Sequence, residues 1–251
     1  MNNNFDLIVH NSVELLVYWP WWEQGIVHGM TTSALAFRPE ELDRSARVLC
    51  NAIGASDLVL PEQCHGAEFI DLRAAGIVDN LITERHGDLI KFHRGDAVLA
   101  PTRQGTPKQS LVFGVMSADC VPIIVRAEHG WGLIHAGWRG LANGIIESVV
   151  GALGEPLEAV VGPSAGPKAY EVGMEVVEAI GASAVFDKLP GHFHKALLDT
   201  AATAIRQLHN ANSSISAHNA SICTISDPRF HSFRRDGASA GRGITFVLPG
   251  S

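Results

Sequence analysis

Apolar runs rich in valine and isoleucine recur along the chain at 6–18, 57–60, 96–100, 111–117, 121–126, 131–136, 158–162, 220–225 and 243–248. They alternate with polar positions or run continuously over strand-like lengths, and so predict β-strands. Apolar positions at helical spacing mark 39–53, 140–153, 171–180 and 194–209. The first of these opens on Pro39 and Glu40, residue types that suit a first helical turn. Strands crowd the middle of the chain without strict strand–helix–strand alternation, which predicts an α+β fold with a mixed sheet or two sheets. The polar stretches 101–110 and 209–219, with their turn-forming residues, read as loops or short connections. Neither is long enough to divide the chain, so residues 1–251 are expected to form a single domain.

One pair of strands adds chemistry to this pattern. Between "VPIIVR" and "WGLIHAG" lies "AEHG", a short polar stretch ending in glycine that suits a hairpin connection. With Glu128 and His129 at the tip, Pro122 opposes His135 and Cys120 opposes Gly137. Cys120 and His135 then share a face as diagonal neighbours, roughly 7–8 Å apart at the backbone. Pro122 cannot donate to the ladder, so pairing weakens beside the cysteine. Side chains so placed can hold a metal together or touch directly. Spacing alone leaves open that Cys120 is a small buried hydrophobe and His135 a satisfied core histidine.

Composition narrows the function. Of 251 residues 46% are apolar, enough to fill a sizeable core, and the formal net charge is −7. Nucleic-acid binding rests on a basic surface that neutralises phosphates, so the charge argues against a general role of that kind and any anion site must be local. The four cysteines Cys50, Cys64, Cys120 and Cys223 are scattered and lack CxxC pairs, which fits a reducing compartment better than a disulfide framework. "MNNNFDLIVH" has no basic leader, and the longest apolar run is broken by Asp119. A cytoplasmic protein without a membrane segment is expected.

Further stretches complete the picture: "QCHG" at 63–66, "GDAVLA" at 95–100, "SADCVPIIV" at 117–125, "IHAGWRGLANGII" at 134–146, "GPSAGPKAYEVG" at 162–173 and "CTISDPRFHSFRRDG" at 223–237. In this order they resemble the YfiH family, also called laccase-domain or polyphenol oxidoreductase proteins, whose members are zinc-dependent purine nucleoside phosphorylases with adenosine deaminase activity. The resemblance implies layered mixed β-sheets flanked by helices. It also implies zinc held by His65, Cys120 and His135, and phosphate met by Arg139, Arg234 and Arg235, with Arg242 a further charge nearby. Two imidazoles and one thiolate leave a tetrahedral zinc one place short, the pattern of a catalytic site. The implied partners are a purine nucleoside (inosine, guanosine, adenosine or methylthioadenosine) and phosphate, bound by a monomer or small homo-oligomer. Asp119 then positions the site or caps a turn, Gly137 and Gly140 allow close backbone approach, and Tyr170 and Glu171 line the pocket unless Glu171 starts a helix.

The chain departs from the family at "MTTSALAF" (30–37), where the arginine and glycines of "TTRxGG" are missing. It departs again at Ser164, Lys168 and Ala169, which replace cysteines that are not metal ligands, and at Cys64, read as a core residue. A rival reading uses the same residues: a metal-free cysteine hydrolase or amidase with Cys120 as nucleophile and His135 as base. Multicopper oxidation needs many clustered histidines, whereas the one HxH pair is His192 and His194, so copper is the less favoured metal. No HxE followed by PCxxC marks a cytidine-type deaminase, and "DGASAGRG" lacks the residues of a nucleotide-binding P-loop.

Overall fold

The protein is described by a computed structural model over residues 4–74, 82–103 and 110–250. Among these residues two large mixed sheets stack face to face. The first, eight-stranded, runs in the order Phe5–His10, Val13–Tyr18, Val27–Thr31, Gly243–Leu248, Leu111–Ser117, Asp57–Glu62, Leu89–Arg94, Ile82–His86. The second, six-stranded, runs Ser216–Asn219, Pro156–Val161, Val121–Ala127, Gly130–Ala136, Ala97–Ala100, Phe69–Asp71. A small antiparallel sheet joins Glu171–Gly173, Lys195–Leu198 and Phe186–Lys188.

Period-two alternation distributes the strand side chains among three apolar layers. Val59, Phe113, Val98, Ile124 and Leu133 point into the layer between the two sheets. Their neighbours Leu58, Leu60, Val112, Ile244 and Phe246 point outward and are covered by the helix Leu42–Ile53. On the far side, Ile123, Val125, Ile134 and Ala159 meet the helices Ile145–Leu153, Met174–Ile180 and Thr200–Ala211. The result is an α/β/β/α stack, and it explains why the central strands read as continuous apolar runs: both faces are buried. Gly132 permits close packing of sheet and helix, since a Cβ there would lie 2.9 Å from both Leu153 and Val149 of the covering helix.

Several predicted elements divide. The run 6–18 is two strands joined at Asn11 and Ser12, both in the left-handed region (φ 46° and 71°). The predicted helix 140–153 breaks at Gly144 (φ 76°) into Trp138–Ala142 and Ile145–Leu153. Residues 171–173 and 195–198 are strands of the small sheet, and helices follow them. The second of these helices begins where the Asp199 side chain accepts the Ala202 N–H, satisfying a backbone donor that the helix start leaves free. Pro39 and Glu40 precede the first long helix, which starts at Leu42.

The run 220–225 is no strand. It makes a single bridge, Cys223 to Ser164, because its apolar residues pack as a loop against the sheet end. The short strands Val27–Thr31, Phe69–Asp71, Ile82–His86, Leu89–Arg94, Phe186–Lys188 and Ser216–Asn219 escaped the pattern, the last lying in a stretch read as a loop. Of the other polar stretch, residues 104–109 lie outside the described residues.

Candidate active site

The hairpin has the expected register: Pro122 pairs with His135 and Val121 with Ala136, across the turn before Gly130. Cys120 stands one residue before its strand begins, beyond the last rung of the ladder. His65 arrives from the loop after Asp57–Glu62. The donor atoms of His65, Cys120 and His135 all lie within 4.8 Å of one another, and the rings of His65 and His135 meet edge to face at 4.9 Å. Among the described residues this is the one group of three or more His, Cys, Asp or Glu side chains close enough to share an ion.

Buried Asp96 holds two of these three residues in place. Its Oδ1 accepts the His135 Nδ1–H at 2.8 Å and the His65 backbone N–H at 2.9 Å. Its Oδ2 accepts the N–H groups of Cys64 at 3.3 Å and Gly66 at 2.6 Å, and the Cys64 thiol at 3.2 Å. Three successive amides converge on one carboxylate because His65 adopts φ 60°, a left-handed conformation that is rare for a side-chain-bearing residue. Burial pushes the Asp96 carboxyl up, but the hydrogen bonds from His135 and Gly66 outweigh it and hold the group well below the usual carboxylate range. With Nδ1 committed to Asp96, His135 turns Nε2 towards the other donors.

Cys120 is fixed by its neighbour. Asp119, at φ 91°, accepts from the Thr224 hydroxyl at 2.7 Å and the Arg234 N–H at 2.6 Å, and its carbonyl accepts the Ala165 N–H at 2.8 Å. It is a positioning residue that ties the cysteine turn to the C-terminal loop. Burial raises the Cys120 thiol, yet hydrogen bonds from His135 and His65 prevail and bring it down to about 6, so the thiolate is accessible at neutral pH. Gly137 and Gly140 are close-approach positions: a Cβ on Gly137 would lie 3.0 Å from Cys120 Sγ, and one on Gly140 would lie 2.9 Å from the Gly66 carbonyl oxygen. Gln63 braces the His65 loop through two bonds to the Met116 backbone, at 2.7 and 2.8 Å.

The three donors line a cleft of about 660 Å³ together with Arg139, Arg234 and Arg242. Each arginine sits over an aromatic ring: Arg139 over Trp138 at 4.4 Å, Arg234 over Tyr170 at 4.8 Å and Arg242 over Phe233 at 5.7 Å. No carboxylate forms an ion pair with these three among the described residues. The backbone of Arg242 exchanges two hydrogen bonds with Phe37.

Arg235 lies elsewhere. Its guanidinium donates to the carbonyls of Thr224, Asp227 and Phe230 and pairs with Asp236, and it does not line the cleft. Glu171 also lies off the cleft, in a strand rather than a helix start, with its carboxylate bound to Lys195. Cys64 is half-buried rather than core, and all four cysteines are free. Asp96 lies within "GDAVLA" and is not among the residues that the sequence pattern singles out; an acid entering an otherwise buried strand is the signal that marks it. No helix among the described residues is long and apolar enough to cross a membrane.

Residues 35–249 match the family described as multi-copper polyphenol oxidoreductase laccase. The chain is 41% identical over 168 residues to a purine nucleoside phosphorylase of Xylella fastidiosa strain Temecula1, an alignment covering 61% of this chain and 63% of that protein. It is 34% identical over 223 residues to a purine nucleoside phosphorylase of Xylella fastidiosa strain 9a5c, covering 80% of this chain and 83% of the relative. Its fold is similar to the crystal structure of the Bacillus licheniformis hypothetical protein YfiH, with a TM-score of 0.76 at 22% identity over 98% of this chain and 99% of that one.

Proposed function

Because the chain belongs to the multi-copper polyphenol oxidoreductase laccase family, we propose that it carries the activity for which its relatives are named, that of a purine nucleoside phosphorylase, and further that it uses zinc and deaminates adenosine as a side reaction. The observation that carries this reading is the meeting, in one cleft, of a His-Cys-His donor set and three guanidinium groups that have no ion-pair partner among the described residues. The substrates are inosine, guanosine, adenosine or methylthioadenosine, with phosphate attacking C1′ and the purine leaving.

The donor set suits zinc. Two imidazoles and a readily ionised thiol match its ligand preference, and Asp96 on His135 Nδ1 supplies the outer carboxylate that metal-binding histidines ordinarily have. Three donors for one ion do not suit a multi-copper centre. His65, Cys120 and His135 would hold the zinc, which when bound would act as a Lewis acid on a water or a substrate oxygen. The chain's own residues do the rest. Arg139, Arg234 and Arg242 hold phosphate by charge-assisted hydrogen bonds, while Arg235 keeps the C-terminal loop in shape. Residues 1–251 act as one catalytic domain, in the cytoplasm.

A second reading rests on the same thiol. Lowered to about 6 and beside His135, Cys120 also fits the nucleophile of a cysteine hydrolase or amidase. Product analysis separates the two. The purified protein, assayed for metal, is incubated with adenosine or inosine, with and without phosphate, beside Cys120→Ala. Free base released only with phosphate, and only by the metal-loaded native protein, is the expected result. Activity that survives chelation, or release indifferent to phosphate, would overturn the phosphorylase reading.

A further inference from the structure

Five large apolar side chains are well exposed among the described residues, and only Phe233, 54% exposed, lines the cleft. Single exposed apolar residues are ordinary on a protein surface, but one facing into a substrate cleft is not neutral. The other two cleft aromatics that carry arginines, Trp138 and Tyr170, pack partly against the core beneath the helices. Phe233 belongs to none of the three apolar layers.

Its ring is nevertheless held on a firm base. Ser232, fully buried before it, accepts the Arg235 N–H on its hydroxyl at 3.1 Å. Asp119 accepts the Arg234 N–H at 2.6 Å, and Arg235 ties the same loop to the Thr224 and Phe230 carbonyls at 2.6 and 3.0 Å. The loop is thus tied down on both sides of Phe233 while the ring itself is left in contact with solvent. Arg242 lies over it at 5.7 Å, within cation–π range. A cation against one face draws electron density towards it and favours stacking of an electron-rich flat ring on the other.

We infer that Phe233 is the platform on which the base of the nucleoside stacks, backed by Arg242. This rests on the nucleoside reading above and adds a specificity determinant to it. A stacking face contacts the ring system and not its substituents, so it accepts 6-oxo and 6-amino purines alike and leaves their discrimination to other groups in the cleft. Arg242 then serves both the ring and the anion, and Arg139 and Arg234 are left to the anion.

The test compares Phe233→Leu, which keeps an apolar side chain without a ring, with Phe233→Trp, which enlarges the ring. The exposed position makes both substitutions compatible with folding. For Phe233→Leu, KM is expected to rise about five- to a hundredfold for inosine and adenosine in parallel, while KM for phosphate stays within about twofold. Phe233→Trp is expected to hold the nucleoside KM at or below the native value. Unchanged nucleoside KM in Phe233→Leu, with the native protein active, would overturn the stacking assignment alone. A native, metal-loaded protein that neither cleaves inosine nor binds it by titration calorimetry would overturn the phosphorylase reading and the platform with it.

Discussion

Asp96 Oδ1 lies 2.8 Å from His135 Nδ1 and also accepts the His65 N–H, while Oδ2 of the same carboxylate accepts the N–H groups of Cys64 and Gly66. One buried charge therefore sets the tautomer of one candidate ligand and the backbone path of another. Asp96→Asn, which keeps the volume but loses the charge, is expected to weaken zinc binding about 10–100-fold. Competition with a chromophoric chelator reads this directly, and zinc affinity equal to the native value would show that the carboxylate is merely structural.

Gly137 leaves room for the cysteine and nothing more. A methyl group in Gly137→Ala would sit 3.0 Å from Cys120 Sγ and 3.5 Å from His65 Cδ2, tighter than ordinary contact at the sulfur. The donors must then separate by tenths of an ångström. The variant is expected to purify folded, by circular dichroism, with less than one zinc per chain and turnover reduced about tenfold or more. Full metal content with native turnover would mean that the site adapts.

The arginines divide by partner. Arg139→Ala and Arg234→Ala each remove a charged donor from the cleft, and each is expected to raise KM for phosphate about tenfold or more. Arg235→Ala removes instead the donors to three loop carbonyls and is expected to lower stability by about 1–3 kcal/mol. Urea melts and phosphate titrations of the three variants check the division; a phosphate defect in Arg235→Ala with unchanged stability would reverse it.

His28 makes stability depend on acid. Burial lowers its pKa to about 4, and its two nitrogens already serve the Tyr18 N–H and the Ile26 carbonyl, leaving no place for a second proton. The unfolded side chain titrates near 6.5. Between these values the unfolded state binds more protons, so the stabilising contribution is complete above about 6.5 and is lost as pH falls towards 4. The stability advantage of the native protein over His28→Gln is expected to shrink by about 2–3 kcal/mol between pH 7 and pH 4.5. A pH-independent difference in urea melts would show that His28 is accessible to protons in the folded state.

Much of the middle of the fold was legible because local pattern and burial agree there. The strands 111–117, 121–126, 131–136 and 243–248 are buried on both faces, and a continuous apolar run is the direct trace of that burial. The edge strands Ile82–His86 and Phe186–Lys188 carry charged side chains and were invisible, since an edge needs little apolar surface. The predicted helix starts at 171 and 194 were misplaced because short strands there are stabilised by pairing with each other, a long-range term that local spacing does not contain.

The hairpin register, and with it the common face of Cys120 and His135, follows from local sequence, because turn chemistry and side-chain alternation act over a few residues. The sequence also carried the resemblance from which His65 was drawn, some fifty residues before Cys120. The tertiary structure alone decided how these residues are held and what surrounds them. Asp96 comes to orient His135 and the His65 loop only because the neighbouring Ala97–Ala100 strand brings its carboxylate under that loop. Arg234 and Arg235, adjacent in sequence, go to a cleft and to a loop respectively, because which carbonyls and rings lie within reach of a guanidinium is fixed by the packing of distant segments and not by its place in a charge run.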